Sequence, residues 1–152
     1  IILLGEAGSG KTTNLKNFTK RKLDSESEKL VLFTSLAKLY KDFNDDSLNE
    51  KLVSLILSLG SKAERRKIEG KLNVEETTIF LDSIDEAIPN YPTVINDIKN
   101  FSIKFPFVQI ITSSRFTIED VSSLGFSQIS LLKFNRAQKS SFFNNWFVSL
   151  RC

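Results

Sequence analysis

Apolar residues gather into short runs along this chain, and the runs are separated by segments of helical periodicity. Ile1-Ile2-Leu3-Leu4 opens the sequence. Leu30-Val31-Leu32-Phe33-Thr34, Thr77-Thr78-Ile79-Phe80-Leu81 and Phe107-Val108-Gln109-Ile110-Ile111-Thr112 follow, each of strand length and of the kind buried on both faces. Gln128 to Leu132 is read as a further strand. The intervening patterns are helical. The first predicted helix runs from about Lys11 to Leu23, and a polar loop, Asp24 to Lys29, comes after it. Leu48, Leu52, Leu55, Ile56 and Leu59 recur at helical spacing, with Asp45-Asp46-Ser47 as N-caps, Glu50 at capping-box distance from Ser47, and Gly60 as the stop. Val94, Ile95, Ile98 and Phe101 mark another helix beyond the loop Ile88–Pro92, and Asn135 caps a last one. Residues 61–71 are densely charged and read as a solvated helix or an exposed insertion.

Apolar strands alternating with helices predict an α/β fold, a parallel sheet covered on both faces. The 152 residues suffice for one domain with a real core, and 41% hydrophobic with 26% charged residues is ordinary for a globular protein. Most of the thirteen phenylalanines are assigned to that core. No apolar run approaches the roughly 20 residues of a membrane-spanning helix, and no secretory signal pattern is present, so a cytoplasmic protein without a membrane partner is expected. The single cysteine, Cys152, leaves no internal disulfide, which fits a reducing compartment. A net charge of +3 is too small to indicate nucleic acid. The cluster Lys16, Lys20, Arg21 and Lys22 is accounted for by the negative end of the first helix's dipole, and no direct nucleic-acid binding is expected. The chain has no methionine and starts inside its first strand, so it is read as an excised part of a longer protein.

The chemistry begins directly after the first strand. Gly5-Glu6-Ala7-Gly8-Ser9-Gly10-Lys11-Thr12 is a complete G-x-x-x-x-G-K-T, followed by Thr13 and a helix. Strand, glycine loop and helix form a phosphate cradle. Glycines let successive N–H groups turn inward, and the helix start adds its positive end. Lys11 reaches the β- and γ-phosphates, and the Thr12 hydroxyl suits Mg²⁺, a hard ion that takes oxygen ligands. Asp82, at the end of a buried strand, is the second candidate Mg²⁺ ligand, through a water. Asp85 and Glu86 follow at the third and fourth positions on, and either could orient the attacking water. Thr112-Ser113-Ser114-Arg115 ends another strand: Thr112 or Ser113 could bond that water, and Arg115 could stabilise γ-phosphate charge.

These motifs resemble the STAND class of P-loop ATPases and, within it, the NACHT family. The phosphate loop is close to the NACHT form. Phe80-Leu81-Asp82-Ser83-Ile84-Asp85-Glu86 is similar to its extended second motif, with a small residue after the metal aspartate and acidic residues third and fourth on. Thr112-Ser113-Ser114-Arg115 is similar to its strand-end Thr-Ser-Arg, although Phe116 stands where the family usually has proline. The resemblance covers Ile2 to about Phe147. It implies a three-layer α/β/α sandwich with a mostly parallel five-stranded sheet, the Thr112 strand lying between the first strand and the Asp82 strand. It implies ATP, or less often GTP, with Mg²⁺. It implies a slowly hydrolysing switch whose nucleotide state governs opening and homo-oligomerisation, in immunity, programmed death or anti-phage defence, with helical, winged-helix and sensor domains beyond this stretch. The ridge Phe142, Phe143, Trp146, Phe147 and Leu150 either packs on the sheet or docks that helical domain. Two other function classes remain: a nucleotide-binding scaffold without useful turnover, and another P-loop enzyme. Against a GTPase stands the lack of Asn-Lys-x-Asp. Against a small-molecule kinase stands the lack of an arginine-rich lid, for which 62–71 is the only weak candidate.

Overall fold

The strand runs are undivided because helices cover both faces of the sheet they form. In the computed structural model, which describes residues 1–25, 29–42, 51–74, 77–119 and 125–149, the chain order is β1 (Ile2–Leu4), α1 (Lys11–Ser25), β2 (Val31–Ser35), α2 (Leu36–Asp42), α3 (Lys51–Ser58) and α4 (Lys62–Val74). It continues with β3 (Thr77–Asp82), α5 (Ile84–Ala87), α6 (Val94–Lys104), β4 (Val108–Ser114), β5 (Gln128–Ser130) and α7 (Arg136–Ser149). The five strands lie in the order β2-β3-β4-β1-β5, and every pairing is parallel. β4 sits between β1 and β3, as the resemblance implies. The register sets Leu4 beside Ser114 and Leu81 beside Thr112, so the C-terminal ends of β1, β3 and β4 share one rim of the sheet.

Successive residues of a strand face opposite ways, and the packing follows that rule. Ile79 and Leu81 of β3 join Ile2, Ile110 and the apolar sides of α2, α3, α4 and α6 in one large core. Phe80 turns to the other face, where it meets Leu3 and Leu15 of α1 in a much smaller cluster. Within the large core Tyr40 of α2 is fully buried and its hydroxyl donates to Asp97 of α6 at 2.6 Å. Burial, and then that carboxylate, push the phenol's pKa well up, so it remains a donor.

Several segments differ from the sequence reading or sharpen it. α2 follows β2 without a break; its Leu36, Leu39 and Tyr40 are buried at helical spacing, a pattern hidden by the adjoining strand. Of the two readings of the charged stretch 61–71 the solvated helix holds: residues from Lys62 on form α4, with Glu64 to Lys67 exposed. Ile68 and Leu72, one turn apart, are its buried stripe. Its start is a reciprocal capping box: the Ser61 N–H donates to Glu64 Oε2 at 2.8 Å, and the Glu64 N–H to Ser61 Oγ at 3.4 Å. β4 reaches two residues past the expected Thr112, to Ser114, while β5 stops at Ser130, short of Leu132. The cap at Ser47 with Glu50, and Leu48, lie outside the described residues. So do Leu150 and Cys152 and the side chains of Phe142, Trp146 and Phe147. Asn135 caps α7 as expected, exchanging bonds with Gln138 at 2.9 Å each way. Phe143 is exposed, and no described helix is long and apolar enough to cross a membrane.

Leu15 is the apolar side chain by which α1 is buried on its face, and Phe18, one turn along, is 42% exposed. Leu15→Ala is expected to cost about 2–5 kcal/mol and Phe18→Ala about 0.5 kcal/mol or less. Urea unfolding of the two variants checks this; equal losses would contradict the packing.

Candidate functional site

The end of β1 is held from both sides. The Leu131 N–H donates to Leu4 O at 2.7 Å, and the Gly5 N–H donates to Ser114 O at 3.1 Å. From this fixed point the chain turns through Gly8 (φ +75°) and Gly10 (φ +84°), conformations that favour glycine, and enters α1 at Lys11. The Asn14 N–H closes the first turn on Gly10 O at 2.8 Å. No acidic residue stands in that turn to offset its positive end. Lys11 folds back across the loop and donates from Nζ to Gly5 O at 2.6 Å and to Glu6 O at 3.0 Å. Glu6 points outward and pairs with Lys133 at 2.9 Å. Ser9 donates its N–H to Glu6 O at 3.1 Å, and its buried hydroxyl has no partner.

β3 and β4 bring up the opposite wall. Thr12 Oγ1 donates to Asp82 Oδ2 at 2.7 Å, and Ser113 Oγ donates to Asp82 Oδ1 at 2.5 Å. Asp82 is 6% exposed, so both oxygens of a nearly buried carboxylate are held by hydroxyls from different elements. Ser83, next in the chain, is left-handed (φ 60°, ψ 59°), and its N–H donates to the same Ser113 Oγ at 2.9 Å. A non-glycine residue there stores roughly 1–3 kcal/mol of strain. The kink it makes starts the short helix α5 and sets Asp85 and Glu86 at the rim. The hydroxyls proposed for the attacking water are directed elsewhere: Thr112 donates to Leu81 O at 2.7 Å, and Ser113 serves Asp82.

Arg115, just past β4, completes the wall. Its Nε lies 3.3 Å from Asp85 Oδ2, and its Nη2 donates to Glu86 Oε1. The two pairs differ in setting. The Asp85 side chain is 3% exposed and its Oδ1 has no partner, whereas Glu86 is 46% exposed. An exposed ion pair is worth about 0–1 kcal/mol. Depriving a buried carboxylate of its counter-charge costs up to about 3–5 kcal/mol, less here because Arg115 is itself half exposed.

Between the walls lies a cleft of about 350 Å³, lined by Ala7, Gly8, Gly10 and Lys11 to Thr13 on one side and by Ser83, Glu86 and Arg115 on the other. Of the sequence-predicted residues, Ala7, Gly8, Gly10, Lys11, Thr12, Thr13, Glu86 and Arg115 line the cleft, Asp82 lies behind Thr12 and Asp85 behind Arg115, and Glu6 turns away to Lys133. Ser113's link to Asp82 and Ser83, and Lys133's pairing with Glu6, escaped sequence reasoning; only the strand-end position of Ser113 hinted at the first. Among the described residues no group of three or more acidic, histidine or cysteine side chains could hold a metal. An ion here would need phosphate oxygens as well. Thr12 and Asp82, one hydroxyl and one carboxylate side by side, are a donor set that fits Mg²⁺.

No family model matches the sequence, and no curated protein matches it significantly. Solved structures do. Domain III of the Thermotoga maritima replication initiation protein DnaA aligns with 93% of this chain at a TM-score of 0.62 and 17% identity. C. elegans PCH-2 aligns with 99% at 0.63 and 16%, and the Aeropyrum pernix ORC1 protein, solved in complex with DNA, with 95% at 0.64 and 18%. The chain spans 57%, 40% and 42% of those three chains, respectively. Likeness at such identity speaks for the fold alone, and the fold is that of the P-loop NTPases.

Ser113→Ala removes the partner of Asp82 Oδ1 and of the Ser83 N–H together. A loss of about 1–3 kcal/mol in unfolding free energy is expected, more than for Ser102→Ala, whose hydroxyl only returns to its own helix at Ile98 O. Equal losses in thermal or urea unfolding would contradict this account.

Proposed function

We propose that this chain is the nucleotide-binding domain of a longer STAND-class, NACHT-like protein, and that it binds ATP with Mg²⁺, hydrolyses it slowly, and uses the bound state as a switch. One observation carries the reading. Thr12, which lines the cleft together with Lys11, Glu86 and Arg115, meets Asp82, 70 positions away, at 2.7 Å in the wall behind it. A cation-phosphate ligand needs that combination: inward amides and a helix start for the phosphates, a hydroxyl and a carboxylate for the ion, and a cation facing the terminal phosphate.

The residues divide the work by position. Gly8, Gly10 and the start of α1 receive phosphate oxygens, and Lys11 exchanges its carbonyl partners Gly5 and Glu6 for phosphate. Thr12 and Asp82 would hold Mg²⁺, which draws charge from the phosphate oxygens. Glu86 is assigned the water-orienting role because it lines the cleft, while buried Asp85 faces Arg115. Arg115 is assigned the terminal phosphate. The NACHT assignment is supported by the small residue Ser83, whose left-handed backbone bends the chain after Asp82, and by the acidic pair meeting the strand-end arginine. The defence setting, control of opening and homo-oligomerisation rest on the resemblance of these motifs. A scaffold without turnover is the second reading, favoured by the engagement of Glu86 with Arg115.

Calorimetry with ATP and with GTP, each with Mg²⁺, on the wild type and Lys11→Ala tests the proposal. ATP-selective binding that Lys11→Ala weakens by about a hundredfold or more, some 2.7 kcal/mol, is expected. Tight binding retained by Lys11→Ala would remove the phosphate-loop assignment, and preference for GTP would remove ATP as the ligand.

A further inference from the structure

Arg115 is one guanidinium joined to two carboxylates of unequal standing. It has a single Nε–H and a pair of N–H groups on each terminal nitrogen. The Nε faces Asp85 at 3.3 Å, and Nη2 takes Glu86. Asp85, 3% exposed and with Oδ1 unpartnered, has no water to fall back on. Glu86, 46% exposed at the cleft wall, does.

We propose that Asp85 is a positioning residue that anchors Arg115 at the rim of the cleft, and that Glu86 competes with the terminal phosphate of a nucleoside triphosphate for the outer end of that arginine. The inference rests on the nucleotide-binding reading above. Exposure decides which bond yields. The Glu86 pair is solvated on both sides and exchanges its partner for water at little cost. The Asp85 pair does not, because the carboxylate would be left buried without its counter-charge. A phosphate group carries more charge than Glu86 and offers several acceptor oxygens to the guanidinium fork. A triphosphate held on the loop therefore takes Nη2 while Asp85 keeps Nε. A diphosphate lacks the group that would reach this wall, and Glu86 keeps its arginine.

Two functions are thereby joined in one side chain. Paired with Arg115, Glu86 is not free to orient a water. The third phosphate releases it, so the group that is to be cleaved also frees the residue that assists its cleavage. Glu86 likewise lowers triphosphate affinity relative to diphosphate, because the ligand must displace it.

The test is the affinity ratio of a non-hydrolysable ATP analogue to ADP, each with Mg²⁺, by competition against a fluorescent nucleotide. Glu86→Gln is expected to raise the ratio about two- to fivefold, the worth of an exposed pair. Arg115→Ala is expected to lower it, and Glu86→Gln added to Arg115→Ala should then have no effect. Asp85→Asn should lower the ratio as Arg115→Ala does, with ADP affinity kept. Should Asp85→Asn not fold, Asp85→Glu carries that arm: a ratio near the wild type supports anchoring, and one equal to that of Arg115→Ala overturns it. An unchanged ratio in Glu86→Gln, or the same gain with Arg115 absent, overturns the competition while nucleotide binding stands. Wild-type protein that binds neither nucleotide overturns the proposed function and this inference with it.

Discussion

The carboxylate of Asp82 holds the rim of the cleft together. It ends β3, yet its two oxygens are claimed by Thr12 from α1 and by Ser113 from β4. A nearly buried anion tolerates such a place only when its lone pairs are met. That condition fixes three elements relative to one another at the mouth of the cleft. The position of α1 aims the phosphate loop, and the position of β4 decides where Arg115 emerges. Ser113 then passes the constraint on to Ser83, whose left-handed turn sets the path of α5 and with it Asp85 and Glu86. Each side chain that faces the cleft is thus located, directly or at one remove, by this carboxylate.

The same rim shows how charge and solvent access divide similar residues into different roles. Asp82, Asp85 and Glu86 lie within five positions of sequence, and all could be drawn as metal or water ligands on paper. The fold separates them. Asp82 is satisfied by hydroxyls, Asp85 by a single guanidinium nitrogen from behind, and Glu86 remains in contact with water. Hydroxyl partners leave a carboxylate's charge intact for a cation, whereas a guanidinium neutralises it. Asp82 is therefore the member of the trio suited to an ion.

Much of this was legible in the residues. Gly5 to Thr12 follows an apolar strand, and both the glycine loop and the helix at Lys11 stand where that order puts them. The strands at 77–82 and 108–114 are legible from the unalternating apolar runs Ile79-Phe80-Leu81 and Ile110-Ile111 at their centres. The order of the sheet came from the resemblance of the motifs and not from periodicity, which carries no information on which strand neighbours which. α2 is hard to see in the sequence because only Thr34 and Ser35 separate its apolar positions from those of β2, with no glycine or proline between them. α4 is ambiguous in the sequence because Ile68 and Leu72 are a thin stripe among many charges, and the structure shows its start in the Ser61–Glu64 capping box. Whether Asp85 or Glu86 faces the cleft depends on the turn at Ser83, and a left-handed serine leaves no trace in the sequence.

The two faces of the sheet are unequally protected. One is covered by several helices around a large core; on the other, among the described residues, Leu15 of α1 meets Leu3 and Phe80 in a small cluster. That same helix begins at Lys11, at the end of the glycine loop that lines the cleft. A ligand held at its first turn would thus be fastened to the cover of the thinner core, and its binding energy would appear as resistance to unfolding, growing with the logarithm of ligand concentration once the site is saturated. Under the proposed function, occupancy and folding would be thermodynamically linked, and the stability of the folded chain would follow its nucleotide supply.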